Sequence, residues 1–189
     1  MFKRYFKLSQ DVEGSTGWDL GNPTTAQGLE VENPWMFREG APVPDIGDLK
    51  VPMGRPGLPL DFTLAGFSIP VVHSRIASLF LELAPRDVQL LPVSIQGHAD
   101  AYQLLVATRL IRCIDDEASE EVELWAPEDG RPEKVGQYRD VSGMRIDPSK
   151  VGDAKVFRTW GWSVALIVSE ELKAALERMG ATGVKFQAV

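Results

Sequence analysis

Cysteine is nearly absent from this chain: Cys113 is the only one in 189 residues. A lone thiol excludes an internal disulfide and any metal site built from several cysteines, and such usage suits a reducing compartment. Histidine is almost as scarce. His73 in VVHS and His98 in QGHAD lack the H-x-x-x-H or H-E-x-x-H spacing of a metal site, so no metal or other cofactor is expected. Long apolar runs are missing too. Stretches such as Val164 to Val168 fall far short of the roughly 20 residues that span a bilayer, so no membrane association is expected. The opening MFKRYFKLSQDVEG has Lys3, Arg4 and Lys7 but neither an apolar stretch nor a small-residue cleavage site, which argues for a cytoplasmic protein. Net positive charge is absent as well. With a formal charge of −7, a pI near 4.9 and no basic cluster, the chain is not expected to bind nucleic acid, and its acidity favours the approach of a basic partner. Neither a G-x-S-x-G elbow nor a G-x-x-x-x-G-K-[ST] phosphate loop occurs.

What is present is ample apolar content, 44%, enough for one sizeable core, and residues 1–189 read as a single domain. Its two parts differ in texture. Residues 1–70 are rich in proline and glycine, with eight of the thirteen prolines between Gly21 and Pro70. Proline fixes φ and removes an amide donor, so this part predicts an irregular layer of turns and short edge strands, including a pairing at Gly28 to Glu32. Trp18, Trp35, Phe37 and Phe62 give it too much apolar surface for a solvated linker.

Residues 71–189 are regular. Ser74 reads as an N-cap, after which Ile76, Leu79, Phe80 and Leu83 recur at helical spacing up to Pro85. The closing SEELKAALERMGATGVKFQAV repeats the plan. Ser169 caps, Glu170 and Glu171 occupy the first turn, Leu172, Ala175, Leu176 and Met179 form a stripe, Lys173 and Glu177 pair, and Gly180 supplies a left-handed stop. Strands are predicted at Asp87 to Val93, Tyr102 to Ile114, Val122 to Trp125, Val141 to Ile146 and Trp162 to Val168, with a final one after Gly183. Each helix follows one strand and precedes another. The expected fold is α+β, a single mixed, largely antiparallel sheet covered by two amphipathic helices.

Chemistry is thin. His73 reads as a helix-entrance residue and Cys113 as a buried, inert thiol, although distant partners leave open a small hydrolase-like enzyme using either residue with a carboxylate. Two features stand out. Asp115, Asp116, Glu117, Glu120, Glu121 and Glu123 place six carboxylates in nine residues with no basic residue between them, just before Trp125. This run reads either as a solvated turn or as a docking surface for a basic protein, with Trp125 as an apolar anchor. Tryptophans also cluster in NPWMF and VFRTWGW, where a place in the core or at its rim is expected for most of them.

The ending AKVFRTWGWSVALIVSEELKAALERMGATGVKF resembles that of a bacterial immunity-protein family of polymorphic toxin systems, formerly a domain of unknown function and frequent in myxobacteria. Val156 to Arg158, Ser169 to Leu172, Ala175 to Glu177, Gly180, Thr182, Gly183 and Phe186 carry the likeness. VVHSRIASLFLELAPRDVQLLPVSI and YQLLVATRLIRCID resemble the family's central segment, and ENPWMF with PLDFTLAGFSIPVV its myxobacterial branch. The resemblance implies a non-catalytic protein that binds a cognate toxin, with no family active site to transfer. A homodimer is a second expected partner arrangement.

Overall fold

The computed structural model describes residues 2–14 and 16–189. Its first half contains β1 (Tyr5–Gln10), β2 (Asp19–Leu20), β3 (Thr24–Thr25), β4 (Leu49–Val51), β5 (Met53–Arg55), β6 (Phe62–Ala65), β7 (Ile69–His73), α1 (Ser74–Leu83) and β8 (Val88–Ile95). The second half adds β9 (Tyr102–Ala107), β10 (Leu110–Ile111), β11 (Glu121–Leu124), β12 (Tyr138–Ser142), β13 (Val156–Thr159), β14 (Trp162–Ser169), α2 (Glu170–Arg178) and β15 (Val184–Ala188). The class is α+β. Neither helix is long or apolar enough to cross a membrane.

Both helices form where the apolar spacing places them, and their ends show why they stop. Ser169 Oγ accepts the Leu172 N–H at 3.3 Å, Lys173 and Glu177 pair at 2.7 Å, and Gly180 takes φ +66° just past the last turn. The first helix differs at its cap. His73, not Ser74, is the N-cap, its Nδ1 accepting the Arg75 N–H at 3.1 Å, while the Ser74 N–H donates to Ala101 O. A neutral imidazole with an unprotonated Nδ1 is an acceptor that can replace a hydroxyl.

The strands are shared between two main sheets rather than one. The larger has the order β3-β4-β8-β9-β7-β6 and the smaller β10-β13-β14-β1-β15. Within them lies a duplication. In the larger sheet, the hairpin β6–β7 leads through α1 to β8, and β9 lies antiparallel between β7 and β8. In the smaller sheet, the hairpin β13–β14 leads through α2 to β15, and β1 lies antiparallel between β14 and β15. The two units share one topology, but the inserted strand follows in sequence in the first and comes from the other end of the chain in the second.

Residues 71–93 correspond to residues 96 positions on without a gap: His73 to Ser169, Ile76 to Leu172, Phe80 to Leu176, Val88 to Val184. Tyr102 opposes His73 as Tyr5 opposes Ser169. Backbone bonds repeat as well. His73 N–H donates to Asp61 O and Ser169 N–H to Lys155 O, both at 2.8 Å, and Thr108 N–H to Asp87 O at 2.8 Å matches Asp11 N–H to Gly183 O at 2.9 Å.

The helices touch each other, and Phe62, Val72, Ile76, Phe80 and Leu105 of the first unit share one core with Phe6, Leu8, Val156, Leu166, Val168, Leu172 and Leu176 of the second. Each sheet's other face has its own cover. Trp18, Phe37 and Val43 pack on the larger sheet against Leu49 and Val51 of β4 and Ile69, Val71, Leu104 and Val106. Residues 113–154 cover the smaller through Cys113, Ile114, Met144, Ile146 and Val151 against Tyr5, Phe157 and Ile167.

Three strand expectations shift. The run from Tyr102 to Ile114 breaks at Thr108 and Arg109, where the chain leaves the larger sheet and β10 joins the smaller beside β13. The strand expected at Val141 to Ile146 lies earlier, at β12, because Gly143 turns the chain with φ +51° where the Glu120 side chain leaves no room for a Cβ. The pairing expected at Gly28 to Glu32 shrinks to a bridge between Thr24 and Glu30.

Candidate partner-binding surface

The acidic run begins where the cover of the smaller sheet leaves the core. Ile114 is buried and bridged to Ile146, so the chain emerges at Asp115 in a fixed direction. A tight turn follows. Asp115 Oδ1 accepts the N–H groups of Glu117 at 3.2 Å and Ala118 at 3.1 Å, and Ser119 Oγ donates to Asp115 O at 2.7 Å while accepting the Arg145 N–H at 3.0 Å. β11 then pairs antiparallel with β12, and Glu123 comes opposite Asp140. Like charges facing each other are unfavourable, and Arg139, 3.3 Å from Glu123 and 3.0 Å from Asp129, offsets them.

The six carboxylates therefore divide by role. Asp115 closes the turn, Asp116 accepts the Tyr138 hydroxyl at 2.6 Å, and Glu123 pairs with Arg139. Burial and then the Asp116 carboxylate raise the Tyr138 pKa, so the hydroxyl stays protonated as a donor. Glu117, Glu120 and Glu121 are exposed and form no ion pair among the described residues.

Trp125 ends the same hairpin, its backbone exchanging hydrogen bonds with Gln137 and Gly136 at 2.9 and 3.2 Å. Lys134 and Arg139 lie over its ring, 5.2 and 5.3 Å from the centroid. From Trp125 a groove of about 640 Å³ runs across Tyr138 to Trp162 and then to Trp35 and Arg38. Trp35 is 47% exposed, an exception to the core or rim placement expected for most of the clustered tryptophans. Its ring meets Phe67 edge-on at 5.0 Å and carries the Arg38 guanidinium at 4.7 Å. Sequence reasoning named Trp125 but did not join it to Trp35 and Trp162, which lie on other elements. The available signal was local: Arg131, Lys134 and Arg139 follow Trp125 within one loop and strand.

The residues of the enzyme reading lie apart. Cys113 is buried among Tyr5, Phe157 and Ile167, and burial pushes its thiol up to about 12. A nucleophilic thiol needs the opposite shift. His73 uses Nδ1 in the cap, holds Nε2 3.9 Å from Asp100, and packs edge-on against Tyr102. Among the described residues no group of three or more His, Cys, Asp and Glu side chains is arranged to hold a metal ion.

No curated protein matches the chain. Residues 24–189 match the Immunity protein family (Imm11), a span that takes in both units and their covers apart from β1, Trp18 and β2. The chain belongs to the Imm11 family of immunity proteins.

Proposed function

We propose that this protein works in the cytoplasm as a non-catalytic inhibitor that binds a cognate toxin and covers its working surface through the acidic hairpin. Glu117, Glu120 and Glu121 form the charged part of the contact, on a turn held by Asp115, Asp116 and Glu123, and Trp125 is the anchor beside them. The observation that carries this reading is the division of the acidic run: Asp115, Asp116 and Glu123 are taken up in holding the turn and the hairpin, leaving the other three without an ion pair among the described residues on the hairpin that Trp125 ends. Preorganised charge of this kind suits a toxin that is basic around its own active site, and buried aromatic anchors supply most of the energy in protein interfaces. Nothing favours the hydrolase reading over this one, since Cys113 and His73 are committed to the core and to a helix cap.

The test is co-expression with a candidate toxin, the product of the neighbouring gene being tried first. The wild-type chain should restore growth, and a variant with Glu117, Glu120 and Glu121 changed to Gln together with Trp125→Ala should not. Equal protection by both would remove the hairpin from the interface; no protection by the wild type would remove the toxin as its partner.

A further inference from the structure

Arg158 is the most unusual charged residue of the fold. It sits on β13 on the face shared with Val156, is 1% exposed, and has no carboxylate partner among the described residues. Its Nη1 donates to Ser163 O and Val164 O at 3.3 and 3.1 Å, but Nε and Nη2 have no hydrogen-bond partner among the described residues. Those two atoms form one edge of the guanidinium, the fork that takes two oxygens of one anion. Burial, and then the nearby Arg38, push its pKa down to about 9, so it stays charged at neutral pH. A buried cation with another cation near it and no carboxylate partner among the described residues lacks its counterion.

The space for one adjoins it. β1 and β14 pair only as far as Lys7 and Ile167 and then diverge. In the fork lies a cavity of about 230 Å³, lined by Arg158, Lys7, Ser9 and Ser68 among apolar groups and by no carboxylate. It shares Trp162 and Val164 with the aromatic groove, whose Arg38 and Lys134 form no ion pair among the described residues. We propose that this fork is a phosphate-binding site, with the Nε/Nη2 edge of Arg158 approaching from the core face of the sheet, Lys7 and Ser9, which alternate to the opposite face of β1, and Ser68 bordering the gap, and the groove open to the remainder of a phosphate ester. Two cations and two hydroxyl donors match a tetrahedral dianion better than a single carboxylate, which one guanidinium edge would satisfy. The inference rests on the cavity and does not depend on the toxin reading.

Thermal unfolding in sodium phosphate against sodium chloride of equal ionic strength tests it, with adenosine monophosphate and acetate as parallel arms. At tenfold above the dissociation constant, phosphate should raise the midpoint by roughly 3–6 °C for a chain of this size. A larger response to the nucleotide would identify an ester as the source, and an equal one free phosphate. Arg158→Met should fold in chloride at least as stably as the wild type, since it removes an uncompensated buried charge, and should lose the phosphate response. If that variant does not fold, Lys7→Gln on the cavity wall gives the same readout, a weakened response with an unchanged midpoint in chloride. A wild-type midpoint indifferent to phosphate, a response to acetate alone, or an undiminished phosphate response in the variants would overturn the proposal.

Discussion

Asp61 ties the two halves of the duplicated fold together. Its carboxylate accepts Arg75 Nε at 2.8 Å and Nη2 at 2.7 Å from the first unit, and the Thr182 N–H at 2.8 Å and hydroxyl at 3.1 Å from the second. Asp87 mirrors it, accepting the Lys155 N–H at 2.7 Å across the same junction. Burial alone would raise the Asp61 pKa, but the hydrogen bonds from Arg75 and Thr182 outweigh it and hold the value below the ordinary 3.8. A carboxyl depressed in the folded state adds stability above its unfolded pKa and loses it as pH falls through the folded one. Wild-type stability should therefore drop below about pH 3.8, and Asp61→Asn should cost roughly 1.5–3 kcal/mol at neutral pH and flatten that acid limb in urea titrations. An unchanged acid limb would show that another carboxyl dominates. This junction was not legible in the sequence, because Arg75 and Thr182 lie 14 and 121 positions away. Cys113 was legible, its apolar neighbours announcing burial. With its thiol pushed up to about 12, it should react slowly with a thiol reagent in the native protein and rapidly once denatured, and fast native labelling would contradict its place in the core.

At the scale of elements, the helices were readable because caps and stripes are local signals, and they correspond residue for residue. Leu176→Ala should destabilise by roughly 2–5 kcal/mol and Phe80→Ala by roughly 3–5 kcal/mol in denaturant unfolding, both side chains being fully buried in the shared core. The double variant should depart from additivity, since the two cavities open into one cluster, and a neutral Leu176→Ala would show that this face is unpacked. β1 escaped notice for a physical reason. YFKLSQ has only Tyr5, Phe6 and Leu8 as buried apolar residues, with Lys7 among them, and it becomes a central strand only through partners at 167–169 and 184–188. The same limit hid the second sheet: helical spacing announces a helix but not which strands lie beneath it. The acidic run was readable as charge, whereas its division into structural and free carboxylates depends on Tyr138 and Arg139 arriving from β12.

For the whole molecule, the duplication and the surface make separate demands. β1 occupies in its unit the place β9 occupies after β8, and Val189 N–H reaches Tyr5 O at 3.2 Å. A circular permutant joining Val189 to β1 by a flexible linker as long as the 96–101 connection, and opened at the exposed Gly130, should fold with near wild-type stability, read by its unfolding midpoint. A permutant that fails to fold would show that the chain order, not only the packing, is required. The surface concerns function. Trp35, Trp125 and Trp162 meet only in the folded chain, and Trp125 ends the hairpin that carries three carboxylates without an ion pair among the described residues. Charge contacts act first on encounter, whereas an aromatic anchor acts on dissociation. The most direct measurement is the association rate with the cognate toxin against ionic strength, for the wild type and for the variant with Glu117, Glu120 and Glu121 changed to Gln. The wild-type rate should fall steeply as added salt shortens the screening length from about 10 Å at 0.1 M, and the variant should start roughly tenfold slower at low salt with a shallower slope. Identical rates and slopes would contradict the acidic hairpin as the toxin-binding surface.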